Sequence, residues 1–157
     1  MLFKKLAFSI FACSLAIAST TQATEFDDYL KQEKMVDKNF KIQNIKALNE
    51  LLAIISAEDS RTLPLQIDHN TVIQKLNLRA DRTELEGKII TPDFNQFEKD
   101  LGRDRVQNMI EKNLLSNCDI FFEHQYQRVN SYTVQLKLKS NQHQYQVTVN
   151  QKDCGIQ

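Results

Sequence analysis

Residues 118–150 read CDIFFEHQYQRVNSYTVQLKLKSNQHQYQVTVN, and this stretch decides the fold that we expect. Apolar and polar residues alternate in three runs, which begin at Ile120, Tyr132 and Tyr145 and are separated by short polar breaks. Side chains of a strand point to opposite faces in turn, so each run predicts a strand with one apolar face and one polar face. Breaks of this length are typical of hairpins. The stretch therefore predicts a three-strand antiparallel meander that is buried on one face and solvated on the other.

Two earlier strand regions and two helices complete the predicted domain. Strands are expected at 63–78 and 84–90, where apolar residues alternate with polar ones between turn residues. Helices are expected near 40–57 and 93–115, where apolar residues recur at helical spacing, and Gly102 is expected to loosen or divide the second helix. The predicted order is α-β-β-α-β-β-β. This order indicates an α+β fold with helices packed on one face of a curled antiparallel sheet.

The N-terminus has the pattern of a secretory signal peptide. Lys4 and Lys5 precede an apolar run at 6–18, and a stretch of small and polar residues ends at Ala23. The run is shorter than the roughly 20 apolar residues of a membrane anchor. We therefore assign residues 1–23 to a signal peptide that is cleaved after Ala23. The mature chain is expected to be periplasmic or secreted, with no membrane span.

The rest of the chain divides in two by composition. Residues 24–38 are charged and only weakly periodic, which predicts a solvated N-terminal segment. Residues 39–157 contain no linker, internal repeat or low-complexity tract, which predicts a single α+β domain.

The charge balance of the chain favours neither nucleic acid nor an anionic membrane as a partner. The 157 residues carry 20 Lys and Arg against 20 Asp and Glu, and the basic residues are scattered along the sequence. Removal of the signal peptide, with Lys4 and Lys5, leaves a small negative balance. Domains that bind nucleic acid instead concentrate their basic residues in a patch or stripe. We therefore expect no nucleic-acid partner, and another envelope protein is the partner that we consider.

Cys118 and Cys154 are the cysteines that remain after removal of the signal peptide, which contains Cys13. An even number of cysteines in an exported protein predicts a disulfide bond. In a simple meander, however, the two residues would lie at opposite ends of the sheet, well beyond the roughly 7 Å between Cα atoms that a disulfide permits. Either the residues after the third strand fold back, or the sheet is strongly coiled, or the two cysteines do not pair.

The titratable residues form no recognisable catalytic or metal-binding motif. His69, His124 and His143 lack the spacing of zinc ligands, and the sequence contains no Gly-x-Ser-x-Gly nucleophile motif. The chain has 3 glycines, too few for a phosphate-binding loop. We therefore predict no catalytic residue, no cofactor and no metal.

His124 is the centre of one candidate binding site. It lies between Phe122 and Tyr126 on the apolar face of its predicted strand. A histidine in this position is either a hydrogen-bonded residue at the rim of the core or part of a cavity between helix and sheet.

The outward face of the predicted meander is a second candidate. It is polar and nearly uncharged, and Gln125, Gln135 and Gln146 represent it. Such a face of an antiparallel sheet is normally solvated. An uncharged polar face with open edges can also pair with another chain, so it is a candidate interaction face.

A short motif pattern resembles a known group of proteins. Residues 63–71 read LPLQIDHNT, and the chain continues with Cys118, Tyr126 and the pair Asp153-Cys154. Over roughly residues 60–155, this pattern resembles a group of small exported gammaproteobacterial proteins of unknown function. The resemblance implies a helix on a curled antiparallel sheet, similar to cystatin-like folds, and an exported location. It implies no activity.

These features predict a non-enzymatic module of the cell envelope that binds another protein or assists an envelope assembly. The prediction rests on the lack of a catalytic motif, of a cofactor signature and of a charge-driven ligand. The alternative is a small-ligand carrier or an enzyme that uses a cavity between helix and sheet near His124.

Overall fold

The computed structural model describes residues 23–156. The predicted signal peptide, apart from Ala23, lies outside the described residues. In chain order, the described elements are α1 (Glu25–Gln32), α2 (Ile45–Asp59), a short 3-10 helix (Ser60–Thr62), β1 (Leu65–Gln66), β2 (Thr71–Leu78), β3 (Arg82–Ile89), α3 (Phe94–Leu101), α4 (Arg103–Leu115), α5 (Cys118–Phe121), α6 (Gln125–Val129), β4 (Thr133–Lys139) and β5 (Gln144–Asn150).

The strands form one five-stranded sheet in the order β1-β2-β3-β4-β5. The central strands β3 and β4 run parallel, with Arg82 beside Thr133 and Lys88 beside Lys139. All other neighbouring strands are antiparallel. The predicted α+β class is therefore confirmed, but the sheet is mixed rather than antiparallel. Parallel neighbours need a long crossover connection, and the helices α3 to α6 supply it.

The first strand of the predicted meander was wrong, because residues 118–129 contain the helices α5 and α6. Phe122 and Tyr126 are both buried, and their spacing of four fits an alternating strand and a helical turn equally well. Ile120 is 70% exposed and Gln127 is buried, which is the reverse of what strand alternation predicted. Of the meander, the β4–β5 hairpin remains.

The remaining elements lie close to their predicted positions. The helix predicted at 93–115 is divided at Gly102 into α3 and α4. Gly102 has a φ angle of 84°, which glycine adopts more readily than residues with a Cβ atom. The helix predicted at 40–57 begins later, at Ile45, because the Asn44 side chain caps it by accepting a hydrogen bond of 3.0 Å from the Ala47 amide.

The helices pack on the apolar face of the sheet. The largest core cluster joins helical side chains to strand side chains that share one face: Leu48, Leu52, Leu114, Phe122, Tyr126, Val134, Val147 and Val149. A smaller cluster continues the core beneath α3 and α4: Ile89, Val106, Leu138 and Tyr145. Burial of these side chains is the main favourable contribution to folding.

Residues 24–38 contribute buried side chains to the core, although many residues of this segment are exposed. Leu30 on α1 is fully buried and Val36 after it is 3% exposed. Val36 also pairs with Ile42 in an isolated antiparallel bridge. The charged residues of this segment lie around a few apolar residues that pack inward, so the segment is solvated on one side and joined to the domain on the other.

Cys118 and Cys154 form the predicted disulfide bond, with their Cα atoms 5.8 Å apart. Cys118 begins α5 and therefore does not lie at the far end of a strand. Residues 151–155 turn back after β5, where the amides of Cys154 and Ile156 donate to the carbonyl of Gln151. The fold-back alternative is the one that the structure contains.

Candidate binding groove

A groove opens on the helix-packed side of the sheet, between α2 and the α5–α6 region. Its volume is about 440 Å³. The strands β2 and β3 form its floor, and the helices form its walls. The residues that line the groove are Phe26, Leu52, Ile55, Leu76, Leu78, Thr83, Leu85, Ile120, Phe121, Glu123, His124, Tyr126 and Gln127.

The lining of the groove is mostly apolar, and its polar side chains lie largely on one wall. Glu123, His124 and Gln127 come from the α5–α6 wall, while Thr83 comes from the floor. Ile120 also lines the groove and is 70% exposed, which places it at the mouth. A concave site with apolar walls and a few polar groups has the usual character of a binding site.

His124 is held in the wall of the groove by α1. Its Nδ1 atom lies 2.9 Å from the Thr24 hydroxyl oxygen, which itself donates to the Asp27 carboxylate at 3.0 Å. Because that hydroxyl has one hydrogen and gives it to Asp27, the arrangement fits the His124 tautomer that carries a proton on Nδ1. The imidazole also packs against the rings of Phe26 and Tyr126, at centroid distances of 4.9 and 6.1 Å.

Tyr126 and Phe122, the other residues of the predicted cavity, have different positions. Tyr126 lines the groove although its side chain is 1% exposed. Burial raises the pKa of the Tyr126 hydroxyl far above its ordinary value, and Tyr132 and Asp27 raise it further. Tyr126 therefore stays neutral and acts as a hydrogen-bonding group. Phe122 is fully buried in the core cluster and does not line the groove.

The predicted interaction face is divided between the two sides of the sheet. Gln135 and Gln146 lie on the outward face, opposite Thr148 and Lys137 respectively. Gln125 does not, because it belongs to α6, which packs on the apolar face. The backbone amide of Gln125 donates a hydrogen bond to the Asp27 carboxylate at 3.0 Å.

The outward face of the whole sheet is more charged than the part that β4 and β5 contribute, to which the prediction of a nearly uncharged surface applied. The additional charges come from β2 and β3, which were not part of the predicted meander face. Arg82 contacts Glu84 at 2.6 Å, and Lys75 contacts Glu86 at 3.2 Å. Hydrogen bonds, first from Arg82 and then from Asn77, hold the pKa of the Glu84 carboxyl below its ordinary value. Paired charges on this face are typical of a solvated surface.

Glu98 joins α3 to the β4–β5 hairpin beside the smaller core cluster. Its carboxylate is 5% exposed, accepts a hydrogen bond from the Tyr145 hydroxyl, and lies 2.8 Å from Nδ1 of His143. Burial alone would raise the pKa of the Glu98 carboxyl. This effect is outweighed by the hydrogen bonds from Tyr145 and His143 and by the charges of His143 and Arg103. The pKa therefore lies below its ordinary value.

This cluster predicts a loss of stability in acid. A carboxyl whose pKa is lower in the folded state contributes stability above its unfolded pKa and loses it as the pH falls through the folded value. The window therefore lies below about pH 4.3, the ordinary pKa of Glu. Glu98→Gln should lower the free energy of unfolding at pH 7 by about 1–3 kcal/mol, because it removes the charge from a buried hydrogen-bonded group. Urea titrations from pH 3 to 7 would show the two proteins converging in acid.

The exposed Glu111 on α4 provides the matched control for this measurement. Glu111→Gln should leave the unfolding free energy at pH 7 within about 0.5 kcal/mol of the wild-type value. A Glu98→Gln protein that keeps the wild-type dependence on pH would contradict the role of this carboxylate.

Within residues 23–156, no group of three or more His, Cys, Asp and Glu side chains is arranged to hold a metal ion. The helices in the same part of the chain are all too short or too polar to span a bilayer.

Several groove residues were not recognised as site residues from the sequence. Leu52 and Ile55 belong to the apolar stripe of α2, and such a stripe predicts only a packed face. Phe26 lies in the segment that was expected to be solvated. Ile120 and Phe121 were placed on a strand. One signal in the sequence was available. Phe121 and Phe122 are adjacent, so a short helix cannot bury both on one face, and one of them must lie elsewhere.

No protein-family model and no curated protein matches the sequence. Two solved structures are similar in part. One is the crystal structure of a candidate secreted protein from Pseudomonas aeruginosa, with a TM-score of 0.45 and 11% identity over 70% of this chain and 95% of that one. The other is a pilotin of the Vibrio vulnificus type 2 secretion system, with a TM-score of 0.37 and 9% identity over 70% of this chain and 94% of that one. Scores this low assign neither a family nor a function to this chain.

Proposed function

We propose that this protein is an exported, non-enzymatic binding module of the cell envelope, and that its groove takes apolar side chains of another envelope protein. The observation that carries this proposal is the open apolar groove with Ile120 at its mouth. An aliphatic side chain that is 70% exposed beside an apolar groove extends the surface that a protein partner would cover. The disulfide between Cys118 and Cys154 and the N-terminal sequence pattern support export.

Two adjacent isoleucines on α2 provide a matched test of this function. Ile55 lines the groove, whereas Ile54 is 68% exposed and is not part of the lining. Ile55→Asp should weaken partner binding at least about tenfold, because it places a charge in an apolar contact. Ile54→Asp should leave binding nearly unchanged. Binding is measured by photocrosslinking in the periplasm from a benzoyl-phenylalanine at position 120.

The same crosslinker at position 146 on the outward face is the control for location. The proposal expects one envelope protein that crosslinks from position 120 but not from position 146, and whose yield falls in Ile55→Asp but not in Ile54→Asp. Melting curves establish that both variants are folded. Equal crosslinking from the two positions, or equal loss in the two variants, would overturn the proposal.

The polar groups on one wall of the groove favour a second candidate, a carrier of a small amphiphilic molecule. Glu123, His124 and Gln127 could orient a polar head group while the apolar floor holds the remainder of the molecule. Native mass spectrometry of protein purified from the periplasm distinguishes this candidate. A bound small molecule that is retained in Ile54→Asp and lost in Ile55→Asp would favour the carrier over the protein-binding module.

A further inference from the structure

Asp27 on α1 is a fully buried carboxylate beneath the wall of the groove. It accepts hydrogen bonds of 3.0 Å from both the backbone amide and the hydroxyl of Thr24. It also accepts bonds from the amides of Gln125 and Tyr126, at 3.0 and 3.4 Å, where α6 begins. These contacts fasten α1 to α6.

Within residues 23–156, none of the groups that donate hydrogen bonds to Asp27 is a cation. Among the described residues, the ion pairs within 4.0 Å involve other carboxylates. A buried carboxylate without a countercharge is costly, even where neutral donors surround it. The site therefore has a place for one positive charge, and the atom of the chain best placed to carry it is the backbone nitrogen of Thr24.

We infer that proteolytic cleavage after Ala23 supplies this charge, so that the new N-terminus of the mature protein forms an ion pair with the buried Asp27. Hydrolysis of the Ala23–Thr24 bond by a signal peptidase adds one water. Ala23 leaves with a carboxylate, and the nitrogen of Thr24 becomes an amine that takes up a proton at neutral pH. That nitrogen already lies 3.0 Å from Oδ2 of Asp27, so the ion pair forms without movement of α1. Ala23 is exposed in the structure.

The ion pair would also stabilise the wall of the groove. Thr24 and Asp27 hold His124 and the start of α6, and Phe26 and His124 line the groove. Processing of the N-terminus would then complete the binding site as the protein reaches its compartment. This effect on binding rests on the proposed function, whereas the ion pair itself does not.

The pH dependence of the ion pair follows from its cation. The ordinary pKa of an α-amino group is about 7.7–8.0, and a buried carboxylate partner raises it in the folded state. The stabilisation is therefore complete below the unfolded pKa and is lost as the pH rises through the folded pKa. The titratable groups around Thr24 are Asp27 beside it, Glu25 and Asp28 in the same turn of α1, and His124 with the preceding Glu123 in the α5–α6 wall that packs against α1.

The test compares two full-length mature proteins, purified from the periplasm and verified by mass. One begins at Thr24, and the other keeps Gln22 and Ala23 ahead of it. At pH 7 the unfolding equilibrium constant of the Thr24 form should be at least tenfold smaller, by urea titration. At pH 10.5, where the α-amino group is neutral, the two constants should agree within a factor of about two.

Asp27→Asn should abolish the difference between the two forms at pH 7. The matched control is Asp28→Asn, since Asp28 is in the same turn but its side chain is 65% exposed and pairs with Lys31. If Asp27→Asn does not fold, the comparison at the two pH values decides the question alone.

Three results would overturn the inference: a natural N-terminus other than Thr24, equal unfolding constants at pH 7, or a difference that persists at pH 10.5. None of these measurements involves a partner or a ligand. A failure of the proposed groove function would therefore leave their outcome unchanged.

Discussion

Replacement of both Cys118 and Cys154 by serine should lower the free energy of unfolding by about 4 kcal/mol. The bond joins residues that are 36 positions apart in the sequence, and a cross-link of this length removes about that much chain entropy from the unfolded state. A domain has about 5–15 kcal/mol of stability in total, so the loss is a large fraction of it. Urea titration of the double variant measures the change, and reduction of the wild-type protein should reproduce it.

The same change should weaken binding beyond its effect on stability. The disulfide ties the start of α5 to the turn after β5, and α5 carries Ile120 and Phe121 of the groove. Without the disulfide, only noncovalent contacts hold α5 against the turn after β5. Crosslinking from position 120 should therefore fall under reducing conditions in which the protein remains folded. If the double serine variant loses less than about 1 kcal/mol of unfolding free energy, the expected effect of the disulfide bond is contradicted.

The adjacent residues Phe122 and Phe121 should respond very differently to replacement by alanine. Phe122 is fully buried and contacts the ring of Tyr132 edge-on, at a centroid distance of 6.1 Å. Phe122→Ala leaves a cavity in the main core cluster and should lower the free energy of unfolding by about 3–5 kcal/mol. Phe121 is partly buried and lines the groove. Phe121→Ala should cost less than about 2 kcal/mol but should remove most of the crosslinking from position 120.

Measurement of both stability and crosslinking for each variant separates the core from the binding site. Phe122→Ala has to be assayed at low temperature, where enough of the protein is folded. If Phe121→Ala is the more destabilising of the two variants, the assignment of Phe122 to the core and of Phe121 to the groove is contradicted. If it leaves crosslinking intact, the groove does not make the contact that we propose.

The strands were predictable wherever alternation was strict and local. The β4–β5 hairpin follows from residues 133–139 and 144–150, which alternate without interruption. Residues 118–129 were misassigned because Phe122 and Tyr126 are four apart, a spacing that both periods allow. The direction of pairing was not predictable either. The alternation of apolar and polar residues indicates which face of β3 and β4 is buried. It does not indicate that the two strands run parallel.

The groove was less predictable than the fold because its residues are far apart in the sequence. The hypothesis of a cavity between helix and sheet near His124 came from one histidine among apolar neighbours. The structure places His124 and Tyr126 in the wall of the groove and Phe122 behind it. Leu76 and Leu85 in the floor lie opposite each other across β2 and β3. Their shared position depends on strand register, which the sequence pattern leaves open.

The parallel pairing of β3 and β4 has a consequence for the rate of folding. The β4–β5 hairpin and the antiparallel pair β2–β3 join residues close in the sequence, so each can form early. The central pair joins residues separated by the whole of α3 to α6, and the entropy of closing that long loop must be lost before the contact is made. We therefore expect joining of the two halves of the sheet to limit the rate. Until then, the facing edges of β3 and β4 are unpaired and can associate with other chains.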